Sequence, residues 1–226
     1  MDTKNDYRIL VSLEACGRLE KRIRGWSLPW PIEKGKALNA VTDIHKALLK
    51  LRYSFLPYEM ILESRELSKV VEKTRQLHSL LFPRESKSVH IPAKALFPLA
   101  EIKYALSILL GLPYRVKLGE ENMPEFAVDV IGAEVVEVDN LTSDLKVTRA
   151  STGSFALTVV TNIKDIRRGE VRAIAILPPV EFHGVISEAM YASSIIPRSL
   201  VGRRVNLEYI DSHVRAAVID LARSVK

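Results

Sequence analysis

Two rhythms of apolar positions run through the first half of the chain. Tyr7, Ile9, Val11 and Leu13 alternate with their neighbours, which predicts a strand over residues 7–14. Residues 17–35 are rich in Arg and Lys and hold Trp26, Trp30 and two prolines, so a loop is expected there. The period then changes. Leu38, Val41, Ile44, Leu48 and Leu51 recur every three or four residues and predict a helix over residues 36–51. Pro57 suits a first helical position and Pro83 a stop; between them Leu62, Leu67, Val70, Val71, Leu77 and Leu81 form the apolar stripe of a second helix. A short strand is expected at residues 88–91. Pro98 is expected to open a third helix that ends near Leu110, with Gly111 after it and Pro113 beyond. Residues 114–118 alternate again and read as a strand. This half is therefore α+β, with about three helices.

After the polar residues 119–125, expected to be a domain boundary, the texture becomes that of strands. Residues 126–138 are apolar and β-branched, with Gly132 a bend or bulge. Residues 145–151 and 155–161 flank the turn Thr152-Gly153-Ser154. Residues 162–168 form a connector with room for one helical turn. Residues 170–177 give a fourth strand ended by Pro178-Pro179, and residues 187–193 a fifth. Asp211 or Ser212 can cap a last helix, residues 214–224, with Val214, Ala217, Val218 and Leu221 on its apolar face. The organisation expected is α+β: a basic α+β domain at 1–120, then at 121–226 five strands in the order of an OB-fold barrel plus a C-terminal helix.

Composition narrows the classes. The chain has 226 residues, 47% hydrophobic and 27% charged, which excludes global disorder. The start MDTKNDYR has no apolar stretch of a secretory signal, and the longest uncharged apolar run, residues 104–114, is too short to span a membrane. One cysteine, Cys16, permits no intrachain disulfide or cysteine-based zinc cluster, and a reducing cytoplasm is the expected compartment. The net charge of +6 is unevenly placed: residues 1–120 hold 21 Lys and Arg against 13 Asp and Glu, residues 121–226 hold 12 against 14. A basic surplus attracts polyanions, nucleic acid above all, or simply solvates a surface. Arg18, Lys21, Arg22 and Arg24 beside Trp26 and Trp30 could serve RNA by charge and stacking, or the indoles could pack on the helices.

The five histidines lack metal-binding spacing, and no nucleophile elbow, Walker loop or dinucleotide-binding glycine motif occurs. No enzyme signature, metal site or cofactor is expected. A site assembled from His90, Glu101 and His183 is the enzymatic alternative.

Residues 126–193 do resemble a known module. Val159-Val160-Thr161-Asn162, Gly169-Glu170-Val171, Leu177-Pro178-Pro179 and Gly184-Val185-Ile186-Ser187-Glu188-Ala189-Met190 follow one another in the order of the tRNA-binding domain family. That family includes the C-terminal appendix of some methionyl-tRNA synthetases, EMAP-type aminoacylation cofactors and CsaA-type chaperones. Ala189 stands where the family usually has glycine. The resemblance implies an OB-fold whose Ser-x-x-Met loop and preceding loop contact the outer corner of tRNA, and dimerisation through flanking segments such as Ile195-Ile196 and the last helix. Lys164, Arg167 and Arg168 form a basic cluster in the connector; Lys146 and Arg149 lie on the second strand; Asn162, His183, Ser187 and Glu188 lie near the same rim. Asn162 and Ser187 are as suited to structural roles as to contact. The expected function is non-catalytic binding of tRNA or another structured RNA by shape and backbone charge, with a synthetase or other RNA enzyme as a further partner. The competing expectation is a peptide-binding chaperone of the CsaA type.

Overall fold

The computed structural model describes residues 1–83, 86 and 89–225. The chain divides into two compact units, Met1–Ala127 joined by the chain end from Val218, and Val128–Ala217.

The first unit is helical: α1 (Tyr7–Arg24), α2 (Lys34–Arg52), the short α3 (Tyr58–Leu62), α4 (Arg65–Leu81) and α5 (Ala93–Val116). Its core lies where α1 packs on α5 and α2, and α2 on α4. The strand expected at residues 7–14 is the start of α1. Asp6 caps it, its side chain accepting from the Arg8 and Ile9 amides, and the supposedly outward positions Arg8, Leu10 and Ser12 are buried along with Ile9, Val11 and Leu13. Alternation carries strand information only when the intervening residues face water, and here they do not. The helix runs on through the first part of the expected loop.

The stripe after Pro57 is broken in two. Ser64 accepts from the Leu67 amide at 3.2 Å and starts α4 afresh. The strand expected at residues 88–91 begins outside the described residues, and Val89–Ile91 carry none. α5 overrides two prolines. Pro98 and Pro113 lie inside it, each removing one backbone bond, yet Leu99, Ile102, Leu106, Leu109 and Leu112 are all buried along it. Proline costs about 3 kcal/mol in a helix interior, and packing on this scale outweighs it. Neither the expected end at Leu110 nor the strand at residues 114–118 exists; Arg115 is buried and its guanidinium reaches the Ile108 carbonyl. α5 is long and apolar enough to cross a membrane by length and composition, but 67% of its most apolar stretch is buried inside the unit.

Much of the basic surplus is consumed locally. Arg18 donates to Glu14 at 2.5 Å and to the buried Glu101 at 3.0 Å, Arg22 also pairs with Glu101, and Arg24 pairs with Glu20 at 2.7 Å. The indoles are committed too: buried Trp30 donates to the Leu81 carbonyl and half-buried Trp26 to the Trp30 carbonyl, each at 2.7 Å. Trp26 also packs edge-on against Trp30, with ring centroids 6.2 Å apart. Burial pushes the Glu14 carboxyl up from its usual range against the pull of Arg18, and pushes the Cys16 thiol up to about 12, so the thiol stays protonated and unreactive.

The second unit is built of strands: β1 (Val130–Asn140), β2 (Lys146–Ser151), β3 (Ala156–Thr161), β4 (Val171–Ala175), β5 (Val180–Phe182), β6 (Val185–Ser187) and β7 (Met190–Ile195). Five form an antiparallel sheet in the order β3-β2-β1-β4-β7, and β5 pairs with β6. The expected fifth strand is therefore two short strands, and residues 126–129 precede the sheet rather than join it. The edge strand β3 is bonded to the Ser187–Glu188 segment that leads into the other edge strand, β7. The Glu188 amide donates to the Thr158 carbonyl at 2.8 Å, the Thr158 amide to the Glu188 carboxylate at 3.1 Å, and the Val160 amide to the Ser187 hydroxyl at 3.0 Å. These bonds cover part of an otherwise exposed edge. Inside sit Ala133, Val135, Ala150, Val159, Ile166, Ile174, Ala189 and Tyr191. Residues 162–168 form turns and no helical turn; buried Ile166 plugs the core from the connector instead. Gly132 marks a close approach rather than a bulge. It exchanges backbone bonds with Gly202 and Arg203, while the register shift falls between Val135 and Glu137. The last helix, α6 (Ser212–Arg223), crosses the division between the units.

Candidate functional site

One concavity of the strand unit has a volume of about 690 Å³. Its walls come from the end of β3, the connector after it, the β5–β6 hairpin, β7 and the start of α6. Leu145, Val160, Leu177, Val180, Phe182, Met190 and Tyr191 give it an apolar floor; Asn162, Arg172, Ser194, Asp211 and His213 give it polar points. The β5–β6 hairpin exists because His183 and Gly184 both adopt left-handed backbone angles, φ 49° and 81°, the pattern of a tight turn between twisted strands. That turn holds Val180 and Phe182 in solvent, 50% and 36% exposed. Tyr191 is buried, and its hydroxyl lies 2.9 Å from the Thr148 hydroxyl, which itself donates to the Val159 carbonyl; burial raises the phenol above its usual range.

The structure sorts the expected contact residues. Asn162 and Ser187 line the same concavity. Ser187, however, is buried, its hydroxyl accepting from Val160 and donating to the Ala189 carbonyl at 2.9 Å. Glu188 turns to the β3 backbone. Both hold this segment against β3. Lys164, Arg167 and Arg168 are exposed on the connector that carries Asn162. Lys146 reaches this connector from β2, donating to the Lys164 carbonyl at 2.5 Å. Arg149 lies farther along β2, 3.5 Å from the Thr158 hydroxyl. His183 is exposed at the hairpin tip. Met190 is half-buried in the wall of the groove. Phe182, Tyr191, Asp211 and His213 were missed. For Phe182 a signal was present: Val180 and Phe182 alternate ahead of a glycine-containing turn. Asp211 and His213 carried none, because only the return of the chain past β7 brings them in.

Among the described residues no group of three or more His, Cys, Asp or Glu is placed to hold a metal ion. Glu101 is held by two arginines.

Three comparisons with known proteins bear on the chain. A family model described as an alpha helical domain matches residues 1–119. No curated protein matches. Among solved structures, the chain is similar to a MetRS-related protein from Pyrococcus horikoshii, at 22% identity over 35% of this chain and 90% of that one, with a TM-score of 0.32.

Proposed function

Since the chain belongs, through residues 1–119, to the family described as an alpha helical domain, which names an architecture and no activity, we propose a function for it from the strand unit: non-catalytic binding of tRNA or another structured RNA. The observation that carries the reading is a groove lined by Asn162, with three exposed cations on the connector that carries Asn162. One concavity joins Asn162 and Ile163 to the β5–β6 hairpin, and the same connector goes on to expose Lys164, Arg167 and Arg168. Exposed cations beside a groove neutralise phosphates, polar points such as Asn162 contact ribose and base edges, and an exposed aromatic such as Phe182 offers a face for an unstacked base. The unit as a whole has ten Lys and Arg against eleven Asp and Glu over residues 128–217, so attraction comes from the local cluster and not from net charge. The five-stranded sheet is read here as a barrel of the OB type, in keeping with the resemblance of residues 126–193 to the tRNA-binding domain; pairing of two copies through exposed Ile195, and association with a tRNA enzyme, belong to the same reading.

The test is titration of the full chain with total tRNA at about 50 and about 200 mM salt. Three or four phosphate contacts predict a loss of affinity on the order of tens-fold to a hundredfold over that range. Arg167→Glu/Arg168→Glu is expected to weaken binding at the lower salt by about tenfold or more and to flatten the log–log salt slope by about 2. Binding that ignores both salt and charge reversal contradicts the reading. It would favour a second one, capture of an extended peptide, which the apolar floor and exposed Val180 and Phe182 support.

A further inference from the structure

We propose that the cleft between α2 and α4 is a second RNA-binding surface, which takes the phosphate backbone; it extends the RNA-binding reading to the helical unit. The cleft has a volume of about 240 Å³ and is lined by Lys46, Ala47, Lys50, Arg65, Glu66 and Lys69. Lys46 and Lys50 are four residues apart on α2, and Arg65 and Lys69 four apart on α4, so each pair shares one helical face. The packing of α2 on α4 brings the two faces together.

Four cations around one carboxylate is an unbalanced cluster. Among the described residues, Lys46, Lys50 and Arg65 pair with no carboxylate. Lys69 shares Asp43 with Lys73, both at 3.8 Å. Elsewhere in the same unit the folding chain does neutralise its arginines, at Glu14, Glu20 and Glu101. Holding like charges together uncompensated costs free energy, and an anion relieves it. Arg65 adds a fork suited to a phosphate, and it is the first residue of the 17-residue helix α4, whose positive dipole end favours negative charge although Ser64 caps the Leu67 amide. A membrane surface fits less well. Basic surfaces that enter lipid carry large apolar anchors among the cations, and the one apolar residue in this lining, Ala47, is buried. A recess walled by cations matches a projecting phosphate backbone instead.

The experiment compares three double variants of the full chain, each changing net charge equally, by fluorescence anisotropy with labelled total tRNA. Lys46→Glu/Lys50→Glu is expected to weaken binding at about 100 mM salt by tenfold or more and to lower the salt slope by about 2, as two lost phosphate contacts should. Lys94→Glu/Lys103→Glu, on exposed positions of α5, controls for net charge and is expected to change affinity less than threefold. Arg167→Glu/Arg168→Glu reports separately on the strand unit. Loss with the α2 variant, but not with the strand variant, would uphold the cleft and overturn the strand-unit reading. Loss with the strand variant alone would overturn the cleft and leave that reading standing. Equal effects of the α2 and α5 variants would also overturn the cleft, since charge alone would then explain them. All four substituted lysines are exposed, so unchanged melting temperatures exclude misfolding as the cause.

Discussion

Replacing Asp6 by alanine is expected to destabilise the helical unit by about 3–5 kcal/mol, the range for removing one partner of a buried ion pair. The Arg8 and Asp6 side chains are 1% and 0% exposed. Arg8 Nε and Nη2 donate to the carboxylate at 3.0 and 2.7 Å, and Nη1 donates to the Gly119 carbonyl at 2.7 Å. Without Asp6 the guanidinium keeps neutral carbonyls and loses its counter-charge in a site that water does not reach. The substitution also removes the cap of α1, worth about 1 kcal/mol by itself. Asp6→Asn keeps an acceptor for the Arg8 amide and removes only the charge, so its loss should fall between those of wild type and Asp6→Ala. Urea unfolding followed by helical circular dichroism measures this as a lowered midpoint at constant slope. A loss of about 1 kcal/mol for Asp6→Ala, the value of a cap alone, would contradict the buried-pair account.

Gly132→Ala is expected to cost the strand unit about 2–4 kcal/mol, from overpacking plus weakened backbone bonds. A Cβ there would lie 2.2 Å from the Leu200 carbonyl oxygen and 2.7 Å from its carbon. Those atoms cannot swing aside as a side-chain tip could. The segment that carries them is held to β1 by the Gly132 amide to Arg203, the Gly202 amide to Gly132 and the Val205 amide to Val130, at 3.0, 2.9 and 3.0 Å. Yielding means peeling that segment away, so the Gly202 and Val205 amides should lose hydrogen-exchange protection first. Gly153→Ala is the control. Its φ of 88° is strained for alanine, yet a Cβ meets nothing within 4 Å, and it should cost about 1–2 kcal/mol. Equal costs at the two positions would show that the close approach is not tight.

What the sequence could convey depended on where each signal resides. The period of α2 and the hairpin around Gly153 are local, and both are where the pattern puts them. α1 was misread because its apolar residues spread around the helix, and because Arg8 looks solvent-facing until Asp6 is known to bury it. α5 was cut short because proline rules describe a helix in isolation, whereas this one is held by the core on most sides. In the candidate site, Asn162 and the basic connector were legible as residue types in a turn between strands. The structural use of Ser187 and Glu188 was not, since it depends on β3 meeting the segment ahead of β7 across about 30 residues of chain.

The central claim is that the groove of the strand unit is where RNA sits. Ultraviolet cross-linking of total tRNA to the full chain, followed by mapping of the modified peptides, tests it directly. The account predicts adducts on the peptides carrying Asn162 and Phe182–His183, which form the rim and the exposed aromatic wall. A stable complex whose adducts spare both peptides, or the absence of any complex at about 50 mM salt, where phosphate contacts are strong, would contradict it.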